Sequence, residues 1–198
     1  MDDTLGRSIG AEFLATALVV LAGPGLMMFG ADDVGTVEIA LSVGAATAIA
    51  IGVLGAVANP MFSLALWLSR SITKRELITD WIGQVLGGVF GALVLWGLND
   101  ATRLTRGLNR FQPDGARVNM GGAADLGVVI GGELLFATLI VVVLLSAIGQ
   151  TKSDLALGGI VGAMVAIATA VMLPSSGAGF NPARSIGMAI FGDADPHP

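Results

Sequence analysis

Gly55-Ala56-Val57-Ala58-Asn59-Pro60 and Gly177-Ala178-Gly179-Phe180-Asn181-Pro182 carry one pattern, G-A-x-x-N-P, twice at a separation of 122 residues. Both continue x-x-S, to Ser63 and Ser185. Ahead of each lies an apolar run with one carboxylate, Gly10-Ala11-Glu12-Phe13-Leu14-Ala15-Thr16 and Gly131-Gly132-Glu133-Leu134-Leu135-Phe136-Ala137-Thr138. Glu12 precedes Asn59 by 47 residues, and Glu133 precedes Asn181 by 48. A single Asn-Pro is an ordinary helix start, with Asn as cap and Pro at the first position. Two of them, at matching offsets from two matching glutamates, mark a duplication. The chain reads as two repeats.

Composition narrows the class. The 198 residues are 54% hydrophobic and only 13% charged, with 29 glycines and a mean hydropathy of +0.82. Soluble domains carry about 25% charged residues, so this chain belongs in a lipid bilayer. A net charge of −5 argues against nucleic acid as a partner. There is no cysteine, and the single histidine is His197 in the tail. Thiolate chemistry, histidine metal sites and a catalytic dyad therefore lack their residues; no metal, no cofactor and no enzymatic activity is expected. Met1-Asp2-Asp3 has no basic n-region, so the first apolar run reads as retained.

Along the chain, Ile9 to Phe29 is long enough to cross about 30 Å of hydrocarbon, with Gly23-Pro24-Gly25 expected to bend or end it. A second span covers Val37–Leu54. Arg70 follows Asn59 by 11 residues, about 16 Å of helix, which is half a membrane. Residues 59–69 therefore read as a re-entrant half-helix returning to a basic loop, Arg70 to Arg75. Trp81–Leu98 spans next, with Thr79 or Asp80 as its cap and Trp81 and Trp96 at its ends. Residues 1–98 form the first repeat. A polar connection, 99–125, carries Arg103, Arg106, Arg110 and Arg117. The second repeat, 126–198, has spans at Leu126–Ile148 and Leu155–Leu173, a break at Pro174-Ser175-Ser176-Gly177, and a half-helix at 181–191. The repeat offset carries Trp81 to about residue 202, past the last residue of this sequence, so a sixth span is missing; truncation is the simplest explanation. The expected fold is an all-α membrane protein, an inverted repeat of five full spans plus two re-entrant half-helices.

Repeats of three spans must be inverted, because three is odd. Their half-helices then meet head to head near the midplane, each ending in unsatisfied N–H groups and about half a positive charge. Non-helical backbone at that depth is tolerated only inside protein or along a wet path. Asn59 and Asn181 cap those ends, and their amides can donate to a passing oxygen. Paired positive ends repel protons and cations while water or a small polyol passes. Pro60 and Pro182 fix the first helical turn. Arg184, two residues past Pro182, is too deep for easy snorkelling and is read as pore lining. Glu12 and Glu133, read as the intramembrane carboxylates, are positioned to accept hydrogen bonds from the re-entrant loops. Thr16 and Thr138 read as hydroxyls bonded back to their own helix.

These features resemble the aquaporin and aquaglyceroporin (major intrinsic protein) family. That family carries two Asn-Pro-Ala loops on half-helices with Arg after the second Ala, and Asn181-Pro182-Ala183-Arg184-Ser185 matches in full. Gln84 before Gly87-Gly88, and the glutamate–threonine pairs, are also similar. The first loop departs from the pattern: Met61 stands where Ala is usual, and Val57 where His is usual. By offset, the selectivity filter that the resemblance implies falls on Arg184, Thr169, Ala178 and Ile39, or Val43 in place of Ile39 if the loop is shortened. This filter is wider and less polar than that of a typical water channel. Ser185 resembles water channels, where glycerol facilitators usually have Asp.

Three functions remain. The first is a passive transmembrane channel for water with leak of small neutral solutes such as glycerol. The second is a non-conducting membrane scaffold or truncated fragment, and the third a secondary transporter. The motif evidence ranks them in that order. The resemblance further implies a homotetramer with one pore per subunit. The basic loop after the first half-helix places the N-terminus in the cytoplasm, in what is expected to be the plasma membrane.

Overall fold

The computed structural model describes residues 3–30, 33–98 and 123–191. Seven helices occur among them: α1 (Asp3–Phe29), α2 (Thr36–Gly52), α3 (Pro60–Leu68), α4 (Lys74–Leu98), α5 (Ala123–Gln150), α6 (Asp154–Ser176) and α7 (Pro182–Phe191). Among the described residues α1, α4, α5 and α6 are each long and apolar enough to cross a membrane. With 17 residues, α2 reaches about 25 Å. The two short helices are the half-helices. The four arginines of the connecting segment lie outside the described residues.

Several boundaries differ from the sequence reading; α6, for one, runs through Pro174 and ends at Ser176, with Gly177 as its cap. Gly23-Pro24-Gly25 does not end the first helix, since α1 runs through Pro24 to Phe29. Neighbouring helices can hold a proline-containing helix together: Pro24 is fully buried, and Ser42 of α2 donates to the Ala22 carbonyl at 3.0 Å. Neither Thr79 nor Asp80 caps α4, which starts at Lys74. Its cap is a reciprocal box. The Thr73 N–H donates to Glu76 Oε2 at 2.7 Å and the Glu76 N–H to Thr73 Oγ1 at 3.2 Å. The apolar pattern begins later than the helix because the first turn and a half carries charge. Helix α5 starts at Ala123, three residues ahead of the expected span.

Glycines bring the helices together. Gly83, Gly87 and Gly91 of α4 face Ile9, Phe13 and Ala17 of α1, and a methyl group on any of them would press on those carbonyls. Both series rise together, so α1 and α4 run parallel. Gly44 of α2 and Gly162 of α6 face each other's carbonyl oxygens, while Gly158 faces Ala48 and Gly52 faces Leu155. That order falls as the other rises, so α2 and α6 are antiparallel. Gly88 of α4 and Gly187 of α7 pack backbone to backbone in the same way. Between lipid-bathed helices, close contact of small residues replaces hydrophobic exclusion as the adhesive. Helix α5 is the outlier, with only 11% of its most apolar window buried.

The glycine contacts set a stability test. Gly162→Val forces a side chain into the α2 backbone and is expected to cost about 1–3 kcal/mol of unfolding free energy in detergent. Gly159→Val, on the same helix but with nothing within 4 Å of its Cβ position, is expected to change it by no more than about 0.5 kcal/mol.

Candidate functional site

The site is built from the two loops that deliver α3 and α7. Each loop turns on a glycine in the left-handed region, Gly55 at φ +64° and Gly177 at φ +77°. Ala58 (φ +52°) and Ala178 (φ +53°) share that region, at roughly 1–2 kcal/mol each for an L-residue. Something must hold them there.

Glu12 holds the first loop. Its two carboxylate oxygens accept from the Val57 and Ala58 N–H groups, both at 2.8 Å. Gln84 Nε2 donates to Glu12 Oε2 at 2.9 Å and to Ser63 Oγ at 2.9 Å. Glu133 stands at the second loop. It accepts from the Gly179 N–H at 3.0 Å and from the Ser176 hydroxyl.

The loops also hold each other. Asn59 Nδ2 donates to the Phe180 carbonyl at 3.0 Å, and Asn181 Nδ2 donates to the Ala58 carbonyl at 2.7 Å. Each asparagine thus reaches the residue just before the other. Each also caps its own half-helix. Asn59 Oδ1 accepts from the Met61 N–H at 3.0 Å, and Asn181 Oδ1 accepts from the Ala183 and Arg184 N–H groups at 3.1 and 3.2 Å. Pro60 and Pro182 begin α3 and α7. The Met61 side chain packs against the apolar cluster around Phe62 and Ile140, so both ties between the loops are made in its presence. Ala183 is fully buried, with its carbonyl against Gly88.

A narrow cavity of about 30 Å³ runs past both asparagines, room for roughly two or three waters. Ile39, Val43, Thr169, Ala178 and Arg184 all line it. The two alternatives for the second-span position, Ile39 and Val43, are therefore both on the wall. Arg184 is buried, and its Nη1 donates to the Gly177 and Ala178 carbonyls at 2.9 and 3.1 Å. These bonds pin the guanidinium to the second loop.

Sequence reasoning missed three things. Asp80 is a third carboxylate inside a spanning helix; it is buried, and accepts from Ser63 at 3.1 Å and Ser8 at 3.5 Å. The cap reading of Asp80 concealed this, though its four-residue spacing from Gln84 puts both on one helical face. Trp81 is more than a belt residue: its indole donates to the Pro60 carbonyl at 3.1 Å. Thr138 bonds back to Leu134 at 2.7 Å, but the Thr16 hydroxyl has no partner among the described residues.

Comparison with known proteins gives the same outline. The family model for Major intrinsic protein matches residues 2–195. Aquaporin Z of Brucella melitensis biotype 1 is 30% identical, over 94% of this chain and 85% of its own. Aquaporin Z of Photorhabdus laumondii subsp. laumondii is 27% identical, over 93% and 84%. The X-ray structure of the aquaglyceroporin from Plasmodium falciparum superposes with a TM-score of 0.80 at 19% identity, over 94% of this chain and 80% of that one.

Glu12→Gln leaves one carbonyl oxygen for two loop N–H groups and turns an NH₂ toward donors. It is expected to cost about 1–3 kcal/mol and to speed amide exchange at Val57 and Ala58. Wild-type exchange at both amides would remove the bracing role.

Proposed function

The chain belongs to the major intrinsic protein family, and from that premise we propose that the cavity past Asn59 and Asn181 is its conducting path. The protein is an integral membrane protein and a passive channel, not an enzyme. Water is the principal permeant and small neutral solutes of the glycerol class are slower ones.

The observation that carries this reading is the pair of asparagines on one cavity wall. Each spends one amide N–H on the opposite loop, which leaves a second N–H for an oxygen in the cavity. A water that accepts from both has its own hydrogens turned away along the path, so a proton cannot hop through it. The N-termini of α3 and α7 add two partial positive charges at the same level, which disfavours cations. Arg184 adds a full one. With Thr169, Ala178 and Ile39 it forms the proposed filter, where the guanidinium donates to a passing oxygen and the rest of the wall is short or apolar. Glu12 and Glu133 keep the loops in place, and Pro60, Met61, Pro182 and Ala183 form the turns that begin the half-helices.

Orientation and assembly are part of the proposal. Ser8 of α1 and Asp80 of α4 lie together, so the start of α1 shares a face with the basic segment Arg70 to Arg75. The positive-inside bias favours that face as cytoplasmic, and the plasma membrane is the proposed host bilayer. Assembly as a homotetramer with one pore per subunit is proposed on the strength of family membership. The transporter alternative needs a coupling-ion site. Glu12 is occupied by loop N–H groups, Glu133 by the Gly179 N–H and the Ser176 hydroxyl, and Asp80 by serine hydroxyls, which argues against an ion site at any of them.

Proteoliposomes carrying the 198-residue chain are expected to shrink under osmotic shock at least about tenfold faster than empty ones, with a low activation energy. Asn181→Asp replaces a donor with a charge that would attract cations and is expected to cut that flux severely. A folded wild-type protein no faster than empty liposomes would favour the scaffold reading.

A further inference from the structure

The duplication aligns more than the two motifs. The offset of 122 residues pairs Asn59 with Asn181, Pro60 with Pro182, Ser63 with Ser185, and Phe62 with Arg184. Phe62 and Arg184 are each the third residue after the capping asparagine. Both are buried, at 1% and 6% exposure, and both line the cavity. Because the half-helices enter from opposite faces, the two side chains flank the asparagine pair from opposite sides. On one side stands a guanidinium, on the other a benzyl ring.

We propose that Phe62 is a second, apolar constriction of the path and the residue that holds back solutes larger than water. The inference rests on the channel reading and names what sets its selectivity. Three observations support it. First, the ring cannot swing aside freely: it packs in one cluster with Ile140 and Leu144 of α5 and Val161 and Val165 of α6. Second, several of its neighbours on the wall are apolar. Val165 and Phe180 share the wall with it, and Val57 packs against the same cluster. Third, the ring lines the same cavity as Asn59 and Asn181, so it stands on the path a solute takes past the asparagine pair.

The chemistry differs on the two sides. On the Arg184 side a solute that sheds water gains hydrogen bonds from a guanidinium and from Thr169. At Phe62 it gains none, and the ring excludes by size and by dewetting. Water, small enough to keep a neighbouring water or an asparagine amide as partner, passes. Glycerol must lose partners for all three hydroxyls together. The Arg184 side receives a solute by hydrogen bonding, and discrimination by size falls to the apolar side.

The test measures water and glycerol permeability by stopped-flow light scattering in proteoliposomes for wild type, Phe62→Val, Phe62→Leu and Phe62→Trp. Phe62→Val is expected to raise glycerol permeability at least about fivefold and water permeability by less, Phe62→Leu to fall between, and Phe62→Trp to lower both. Phe62→Leu keeps most of the buried volume and serves if Phe62→Val does not fold. A wild type that conducts water, with the folded smaller variants showing unchanged glycerol-to-water ratios, overturns the constriction and leaves the channel standing. If wild type and every folded variant match empty liposomes for both permeants, the channel reading fails and the constriction with it.

Discussion

The N-termini of two short helices face one another inside an apolar bundle, and every other feature of the site answers that constraint. Each end presents backbone N–H groups with no helical partner and a concentrated partial charge. Neither can be covered by hydrocarbon. The chain answers with one residue used twice at each end. The asparagine oxygen caps its own half-helix, and its amide nitrogen donates to the carbonyl just before the other asparagine. The ends are thereby joined without being closed. The cavity passes beside them because each amide retains a hydrogen that the loops do not use.

The two halves reach this point by different chemistry. In the first, Glu12, Gln84, Ser63 and Asp80 form one continuous hydrogen-bonded network linking α1, α3 and α4. In the second, Glu133 and Ser176 hold the loop from one side and Arg184 spans two of its carbonyls. The backbone outline is duplicated, but the side chains at the third helical position are not. The cavity therefore carries a guanidinium in the second half and an aromatic ring at the matching position of the first.

Much of this was legible from the residues. Paired Asn-Pro motifs, their glutamates and the half-length apolar runs named the repeat and its inversion, because each is a local constraint written in a few adjacent positions. The helix boundaries that failed were those where tertiary contact overrides local rules. Pro24 stays helical because α2 packs over it, and α4 starts at a polar capping box that hydropathy overlooks. Asp80 was hidden for the same reason: a carboxylate near a helix start resembles a cap until its partners Ser8 and Ser63, 72 and 17 residues away, are in view. Which carbonyl each glycine admits could not be read from the residues, since that depends on how whole helices are set against each other.

The claim at the centre is that the two asparagines act as a unit joining the half-helices. A double-mutant cycle of Asn59→Ala and Asn181→Ala on the unfolding free energy in mixed micelles measures it directly. Residues in one hydrogen-bond network couple by about 0.5–3 kcal/mol, and the reciprocal ties predict a coupling of about 1 kcal/mol or more, because losing either tie loosens the loop that the other needs. Two substitutions that add independently, to within about 0.3–0.5 kcal/mol, would mean that the half-helices are held apart from each other and would contradict the account.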